Sequence, residues 1–181
     1  MEEYKVYEAV LGLMDHIPKE DPHVTILNRT LNSKCGDDNP VLANGCSFLW
    51  VKPQSAKDVK RLLSSEWSDM DKSTWPDFQT KNAESVALHD PLQTPWKHKF
   101  QGEGIDLPKE WESPDLTIFL SRVGFNERKS EAVVYVLVFS YMDQVSTAGD
   151  YFLFRLDRQS LWIPSGRVTY FSKDKDQQES P

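Results

Sequence analysis

The sequence has few of the residues that usually carry chemistry. Two cysteines and four histidines stand among 181 residues, and none of them falls at the spacing of a zinc site. A Gly-rich phosphate loop, a dinucleotide-binding fingerprint and a zincin helix are all missing. We therefore assign no catalytic residue and predict no cofactor and no metal site.

Long apolar runs and excess positive charge are also missing. Because no stretch reaches roughly 18 consecutive apolar residues, no membrane span is predicted. The net charge of −7 disfavours binding to nucleic acid or anionic lipid, since both are polyanions. An amphipathic stretch follows Met1 directly, without a signal peptide. Two interpretations stay open: a cytoplasmic protein, or one whose leader has been removed.

The two cysteines, Cys35 and Cys46, lie 11 residues apart in a segment rich in turn-forming residues. That spacing predicts a disulfide, which would contribute roughly 2–3 kcal/mol. A disulfide favours an oxidising compartment, so the expected location is periplasmic or extracellular. The alternative is a cytoplasmic protein with two separate thiols.

The last third of the chain shows the clearest pattern. Apolar runs separated by short polar breaks predict an antiparallel meander, and they cover Leu116–Val123, Ala132–Tyr141, Tyr151–Leu156 and Leu161–Phe171. The second run is apolar on both faces, which predicts a central strand with Val134 and Val136 on one side. Val133, Tyr135 and Leu137 would lie on the other. Pro164-Ser165-Gly166 predicts a bulge in the last strand.

The first two-thirds predict helices and a long irregular segment. Apolar spacing predicts a helix over 3–17, a strand over 24–28 and a helix from Ser55 to Trp67. A short helix capped by Thr74 would bury Trp75 and Phe78. Residues 86–115 lose periodicity and predict an ordered loop held by its aromatic side chains.

This segregation of helices and strands predicts an α+β fold. We expect a single domain over 1–171 and a flexible polar tail over 172–181. The domain would contain a four- to five-stranded antiparallel sheet, with the N-terminal helix and one or two middle helices packed on one face.

The C-terminal block resembles a family of uncharacterised, often exported bacterial proteins. The resemblance rests on Leu120-Ser121-Arg122-Val123-Gly124-Phe125-Asn126, Ala132–Val136, Gly149–Leu153, Leu161-Trp162, Glu3–Tyr7 and Thr25–Thr30. It implies an exported protein and no particular activity. Met142–Ser146 departs from the family, where a cysteine- or glycine-rich turn is common.

Three arrangements are candidates for chemistry. Cys46 followed by His89, His98 and Asn126 has the order of a thiol hydrolase. His89, Asp90, His98 and Glu103 could hold a metal ion. The carboxylate pairs Glu110 with Glu112, and Asp69 with Asp71, could act as acid and base. Each arrangement also arises from common residue types without any function.

The six tryptophans offer the best argument for binding. Trp96 and Trp111 stand in the 86–115 segment and are possible ligand contacts if exposed; otherwise they pack in the core. The sequence thus favours a non-enzymatic, exported binding or interaction domain for an unknown protein or small ligand. The alternatives are a hydrolase with a thiol or metal site in 86–115 and a homo-oligomeric assembly subunit.

Overall fold

One sheet with helices on both sides forms the framework. The computed structural model describes residues 2–14, 17, 24–30, 63–89, 92–101, 116–140 and 146–173. Its elements are α1 (Glu2–Gly12), β1 (Val24–Leu27), α2 (Thr74–Lys81), β2 (His98–Gln101), β3 (Leu116–Leu120), β4 (Gly124–Phe125), β5 (Glu131–Ser140), β6 (Ser146–Leu156) and β7 (Trp162–Lys173). Residues 63–66 are also helical. The α+β prediction is confirmed.

The sheet is mixed rather than purely antiparallel. Its seven strands follow the order β2-β1-β3-β5-β6-β7, with β4 paired to β5 beside the main path. The predicted meander is confirmed, since β3, β5, β6 and β7 are successive antiparallel neighbours. However, β1 runs parallel to both β2 and β3. Parallel pairing joins segments far apart in sequence, so local patterns do not reveal it.

Strand β2 lies inside the segment that was expected to be irregular. His98–Gln101 lacks apolar alternation, and it becomes a strand by pairing with β1 along its whole length. At the other end of the sheet, β7 continues to Lys173, two residues beyond Phe171, where the domain was expected to end. The predicted bulge is present as a register shift where Phe154 pairs with Pro164 and Leu153 with Gly166.

Strand β5 is covered on both faces, as its sequence predicted. Val134 and Val136 lie in a core with α1, which we call the α1 face, while Val133, Tyr135 and Leu137 lie in a second core with Trp75 and Phe78, the α2 face. These five residues of β5 are each at most 1% exposed. The expectation that the helices share one face is therefore wrong, because a strand apolar on both faces needs a cover on each.

Helix α1 ends at Gly12, five residues before the predicted end. Glycine weakens a helix because its backbone loses the most freedom on ordering. Beyond it, the N–H groups of Leu13 and Met14 donate to carbonyls three residues back, at 3.1 and 3.2 Å. The chain thus tightens into a turn that still buries Met14.

We expect Val136→Ala to lower the free energy of unfolding by about 1–3 kcal/mol, because it removes two buried methyl groups and leaves a cavity. Urea denaturation followed by tryptophan fluorescence measures this loss. Ser165→Ala, at an exposed position of β7, is the matched control and should change stability by less than about 0.5 kcal/mol. Equal effects of the two changes would contradict the burial of Val136 on the α1 face.

Candidate functional site

Trp96, the possible ligand contact, is part of the core. Its side chain is 5% exposed and packs on the α1 face. The indole N–H has no hydrogen-bond acceptor among the described residues. Its ring meets that of His98 edge-on at 6.0 Å between centroids. Trp96 therefore takes the packing role that the sequence left open, while Trp111 lies outside the described residues.

The histidines do not gather a metal site in the described part of the chain. His89 is exposed, and its backbone N–H donates to the Tyr4 hydroxyl at 2.8 Å. His98 Nδ1 lies 3.1 Å from Thr94 Oγ1. Across residues 2–14, 17, 24–30, 63–89, 92–101, 116–140 and 146–173, no three metal-ligating side chains come together.

Several other candidates fall outside the described residues, namely Cys35, Cys46, Asp90, Glu103, Glu110 and Glu112. The disulfide and the thiol hydrolase thus stay predictions. Of the four residues proposed for the hydrolase, Asn126 has a clear role. Its Oδ1 accepts from the backbone N–H groups of Ser130 and Glu131 at 2.8 and 3.1 Å, so it shapes the turn before β5.

A set of side-chain to backbone hydrogen bonds joins α2 to the chain around β4. Ser73, Asp77 and Lys81 are four residues apart and form one stripe along the helix. Ser73 Oγ accepts from the N–H of Glu127 at 3.2 Å, and Asp77 Oδ2 accepts from the N–H of Phe125 at 2.7 Å. Lys81 Nζ donates to the Val123 carbonyl at 3.2 Å. The helix side chains thus bond backbone groups that a neighbouring strand would otherwise satisfy.

Asn82, just after α2, adds further hydrogen bonds to the same part of the chain. It is 3% exposed. Its Oδ1 accepts from the Arg122 N–H at 2.8 Å, and its Nδ2 donates to the carbonyls of Arg122 and Phe78 at 3.0 and 2.8 Å. One amide side chain therefore fixes both backbone groups of Arg122 and the last turn of α2.

The segment Leu120–Asn126, which α2 contacts on one side of the sheet, also contacts α1 on the other side. The Tyr7 hydroxyl donates to the Ser121 carbonyl at 3.0 Å, and burial raises the pKa of that hydroxyl well above its usual value. Arg122 Nη2 forms an ion pair with Glu3 at 3.0 Å. Gly124 has no room for a side chain, because a Cβ there would collide with Phe78. The Leu120–Asn126 block, which carries the family resemblance, is thus a structural junction for both helices.

The buried carboxylate of Glu131 stabilises the turn that leads into α2. Glu131 is 5% exposed, and its Oε1 accepts from the backbone N–H of Asp71 at 2.8 Å and from Thr74 Oγ1 at 2.7 Å. Its Oε2 lies 3.4 Å from Arg155 Nε. The prediction that Thr74 caps α2 is wrong: Ser73 holds the cap position, and the Thr74 hydroxyl is used by Glu131. A buried carboxylate that lacks hydrogen-bond donors costs more free energy than an uncapped helix end that water can reach. The Thr74 hydroxyl therefore binds Glu131.

Asp69 and Asp71, the candidate acid–base pair, instead stabilise the turn before α2 through their hydrogen bonds. Asp69 Oδ2 pairs with Arg155 Nη2 at 2.8 Å, and this hydrogen bond lowers the pKa of Asp69. Asp71 Oδ1 accepts from the backbone N–H and hydroxyl of Ser73 at 2.9 and 2.7 Å, which lowers the pKa of Asp71. Both carboxyl groups are thus held in the ionised form by partners in the fold.

A second buried acid, Asp150 of β6, binds side chains of β7. It accepts from Arg167 Nη2 at 2.8 Å and from Thr169 Oγ1 at 2.6 Å. The Arg167 guanidinium also lies over the Phe152 ring, 5.6 Å from its centroid. A buried carboxylate needs such partners, so Asp150 stabilises the pairing of the last two strands.

The β6–β7 hairpin exposes two large apolar side chains. Leu161 is 55% exposed and Ile163 is 46% exposed; Leu13 is the other large apolar residue exposed within the described ranges, at 40%. The turn is well ordered by Asp157, whose Oδ1 accepts from the N–H groups of Gln159 and Leu161 at 2.8 Å each. The sequence pattern does not reveal this site, because almost every apolar residue of the predicted meander has a packing role available to it.

Comparison with known proteins adds no further constraint, since no family model, curated protein or solved structure matches the chain. The family resemblance therefore stays an expectation from sequence. None of the described helices is long and apolar enough to cross a membrane.

We expect Asn82→Ala to lower the free energy of unfolding by about 2–3 kcal/mol, because the Arg122 N–H loses its acceptor inside the protein. Chemical denaturation measures the loss. Asn82→Asp keeps the acceptor and removes the two donated bonds. Should Asn82→Ala prove neutral, Asn82 would not be the link between α2 and the β4 region.

Asp69 should give the protein an acid-sensitive part of its stability. Its pKa is lowered in the folded state, so its contribution is present above the unfolded value of about 3.9 and is lost as pH falls through the folded value. Asp69→Asn should therefore be less stable than the wild type at pH 7, with the difference vanishing in acid. Urea midpoints measured from neutral pH down to about pH 2 test this. A difference that is the same at every pH would contradict the ion pair with Arg155.

Proposed function

We propose that this chain is a non-enzymatic interaction domain that binds a protein through the β6–β7 hairpin. The observation that carries the proposal is the exposure of Leu161 and Ile163, which we call the hairpin patch. Leu161 is the last residue before β7 and Ile163 is the second residue of β7, so the two lie one position apart in the sequence. Trp162 between them is buried.

The hairpin is built to present this patch. Asp157 fixes the turn, and Trp162 anchors the start of β7 with its ring 5.7 Å from that of Phe125. Ile163 pairs with Arg155, which is itself held by Asp69 and Glu131. A patch on a rigid support loses little conformational freedom on binding, which favours affinity.

The polar side chains of the interior support an interaction role over catalysis. Asn82, Asn126, Glu131 and Asp150 are each used to hold backbone groups or to balance a neighbouring charge. None of these bonds leaves a base beside a free nucleophile. Catalytic sites instead need groups poised for a substrate.

The proposal also keeps the expected location outside the cytoplasm. Its support is the spacing of Cys35 and Cys46 in a turn-rich segment and the resemblance to often-exported proteins. An interaction domain in an oxidising compartment would gain stability from that disulfide.

A photo-crosslinking amino acid at position 163, introduced in the native host, tests the binding role. We expect one defined protein to be captured from position 163 and not from position 13, the other exposed apolar site. With that protein purified, Ile163→Ser should weaken binding about fivefold or more, as loss of roughly 1 kcal/mol of apolar contact requires.

Leu13→Ser is the matched control and should bind like the wild type. The proposal fails if positions 13 and 163 give the same products, or if Ile163→Ser leaves the measured affinity unchanged.

A further inference from the structure

Arg167 of β7 is an exposed arginine whose guanidinium is held in place. Its side chain is 61% exposed, yet its Nη2 donates to Asp150 Oδ2 at 2.8 Å. The guanidinium carbon lies 5.6 Å from the centre of the Phe152 ring, within the range of a cation–π contact. One charged and one aromatic contact therefore orient a group that would otherwise keep most of its rotamer freedom in water.

The carboxylate that holds Arg167 is buried. The Asp150 side chain is 7% exposed, and its Oδ1 accepts from Thr169 Oγ1 at 2.6 Å. An ion pair with a largely exposed arginine adds little stability, while the burial of its carboxylate costs free energy. The Thr169 bond already links Asp150 to β7. The ion pair has a further consequence, which is to fix the direction of the Arg167 guanidinium at the surface.

Arg167 keeps hydrogen-bond donors for another molecule. Within the part of the chain that the structure describes, Nε and Nη1 of Arg167 have no acceptor, and Asp150 is the one carboxylate that pairs with it. A guanidinium carries five N–H groups in one plane, which allows it to bind a second carboxylate beside the first. Such charge-assisted bonds are the strong ones, and their planar geometry is specific. The exposed side of Arg167 is thus suited to a carboxylate from outside the chain.

From these contacts we infer that Arg167 binds a carboxylate side chain of the protein that contacts the hairpin patch. The inference rests on the proposed function, because it names the chemistry of the same partner. Arg167 follows Ile163 by four residues on β7, so the two are at most roughly 13 Å apart along the strand. The partner should therefore present an aspartate or glutamate at about that distance from its apolar contact.

The partner would span the outer edge of β7. Arg167 pairs with Phe152 and lies over its ring, on the α1 face. Ile163 pairs with Arg155, which bonds Glu131 on the side of the sheet where α2 lies. Residues directly opposite each other on antiparallel strands share a face, so the two contacts lie on opposite faces. Among the described strands β7 pairs with β6 alone, and a protein along its other edge would reach both side chains.

A small carboxylate tests Arg167 without the partner. The Nε–H signal of Arg167, assigned in ¹⁵N NMR spectra with the variant Arg167→Lys, should shift saturably with acetate at constant ionic strength. Acetamide has the same shape without the charge and should not shift it. The signal of Arg158, an exposed arginine in the turn between β6 and β7, is the internal control and should move at least about threefold less, because no carboxylate orients its guanidinium within the described ranges.

Binding to the protein captured at position 163, once purified, tests the interface. Arg167→Gln should weaken binding about tenfold at low salt, and the loss should shrink at high salt. Arg167→Lys keeps the charge without the planar donors and should recover part of the affinity. Lys97→Gln removes the same charge at an exposed site beside β2, at the other end of the strand order, and should bind like the wild type. Near-ultraviolet circular dichroism checks that each variant is folded.

The inference is overturned if the Arg167 signal responds equally to acetate and acetamide, or no more than that of Arg158. If acetate binds but Arg167→Gln leaves the affinity for the partner unchanged, Arg167 is an adventitious anion site and the interaction role alone stands. Equal losses from Arg167→Gln and Lys97→Gln would show a general effect of charge and also reject the contact. If positions 13 and 163 capture the same products, both proposals fail.

Discussion

The fold depends on satisfying the backbone of residues 122–127, which have no full strand beside them. A buried backbone N–H or carbonyl without a partner costs about as much as a lost hydrogen bond. Helix α2 solves this with side chains, because Ser73, Asp77 and Lys81 recur every four residues and Asn82 adds both a donor and an acceptor. The position of α2 and the path of the chain into β5 are thus set by the same bonds.

The double burial of β5 follows from this arrangement. With α2 held against one face and α1 against the other, both sides of the strand are removed from water. Both helices contact the sheet at the same segment. The Ser121 carbonyl accepts a hydrogen bond from the Tyr7 hydroxyl of α1, and the Arg122 N–H donates to Asn82, just after α2. The Leu120–Asn126 motif therefore has a structural role where both helices contact the sheet.

The charges follow the same division between interior and surface. The buried acids Glu131 and Asp150 each lie beside an arginine, so their desolvation is offset within the fold. Leu161 and Ile163 stay exposed on the β6–β7 hairpin, outside both cores.

The sequence by itself determined the elements whose pattern is local. Alternation identified the four strands of the meander and both faces of β5, and helical spacing identified α1 and the buried Trp75 and Phe78. Tertiary structure decided the parallel pairing of β1, the strand β2, the split of the helices between two faces, and the use of Thr74 by Glu131. It also decided that Trp96 is buried while Leu161 and Ile163 are exposed. The physical reason is that periodicity records which residues share a side of one element, whereas burial depends on which distant element covers that side.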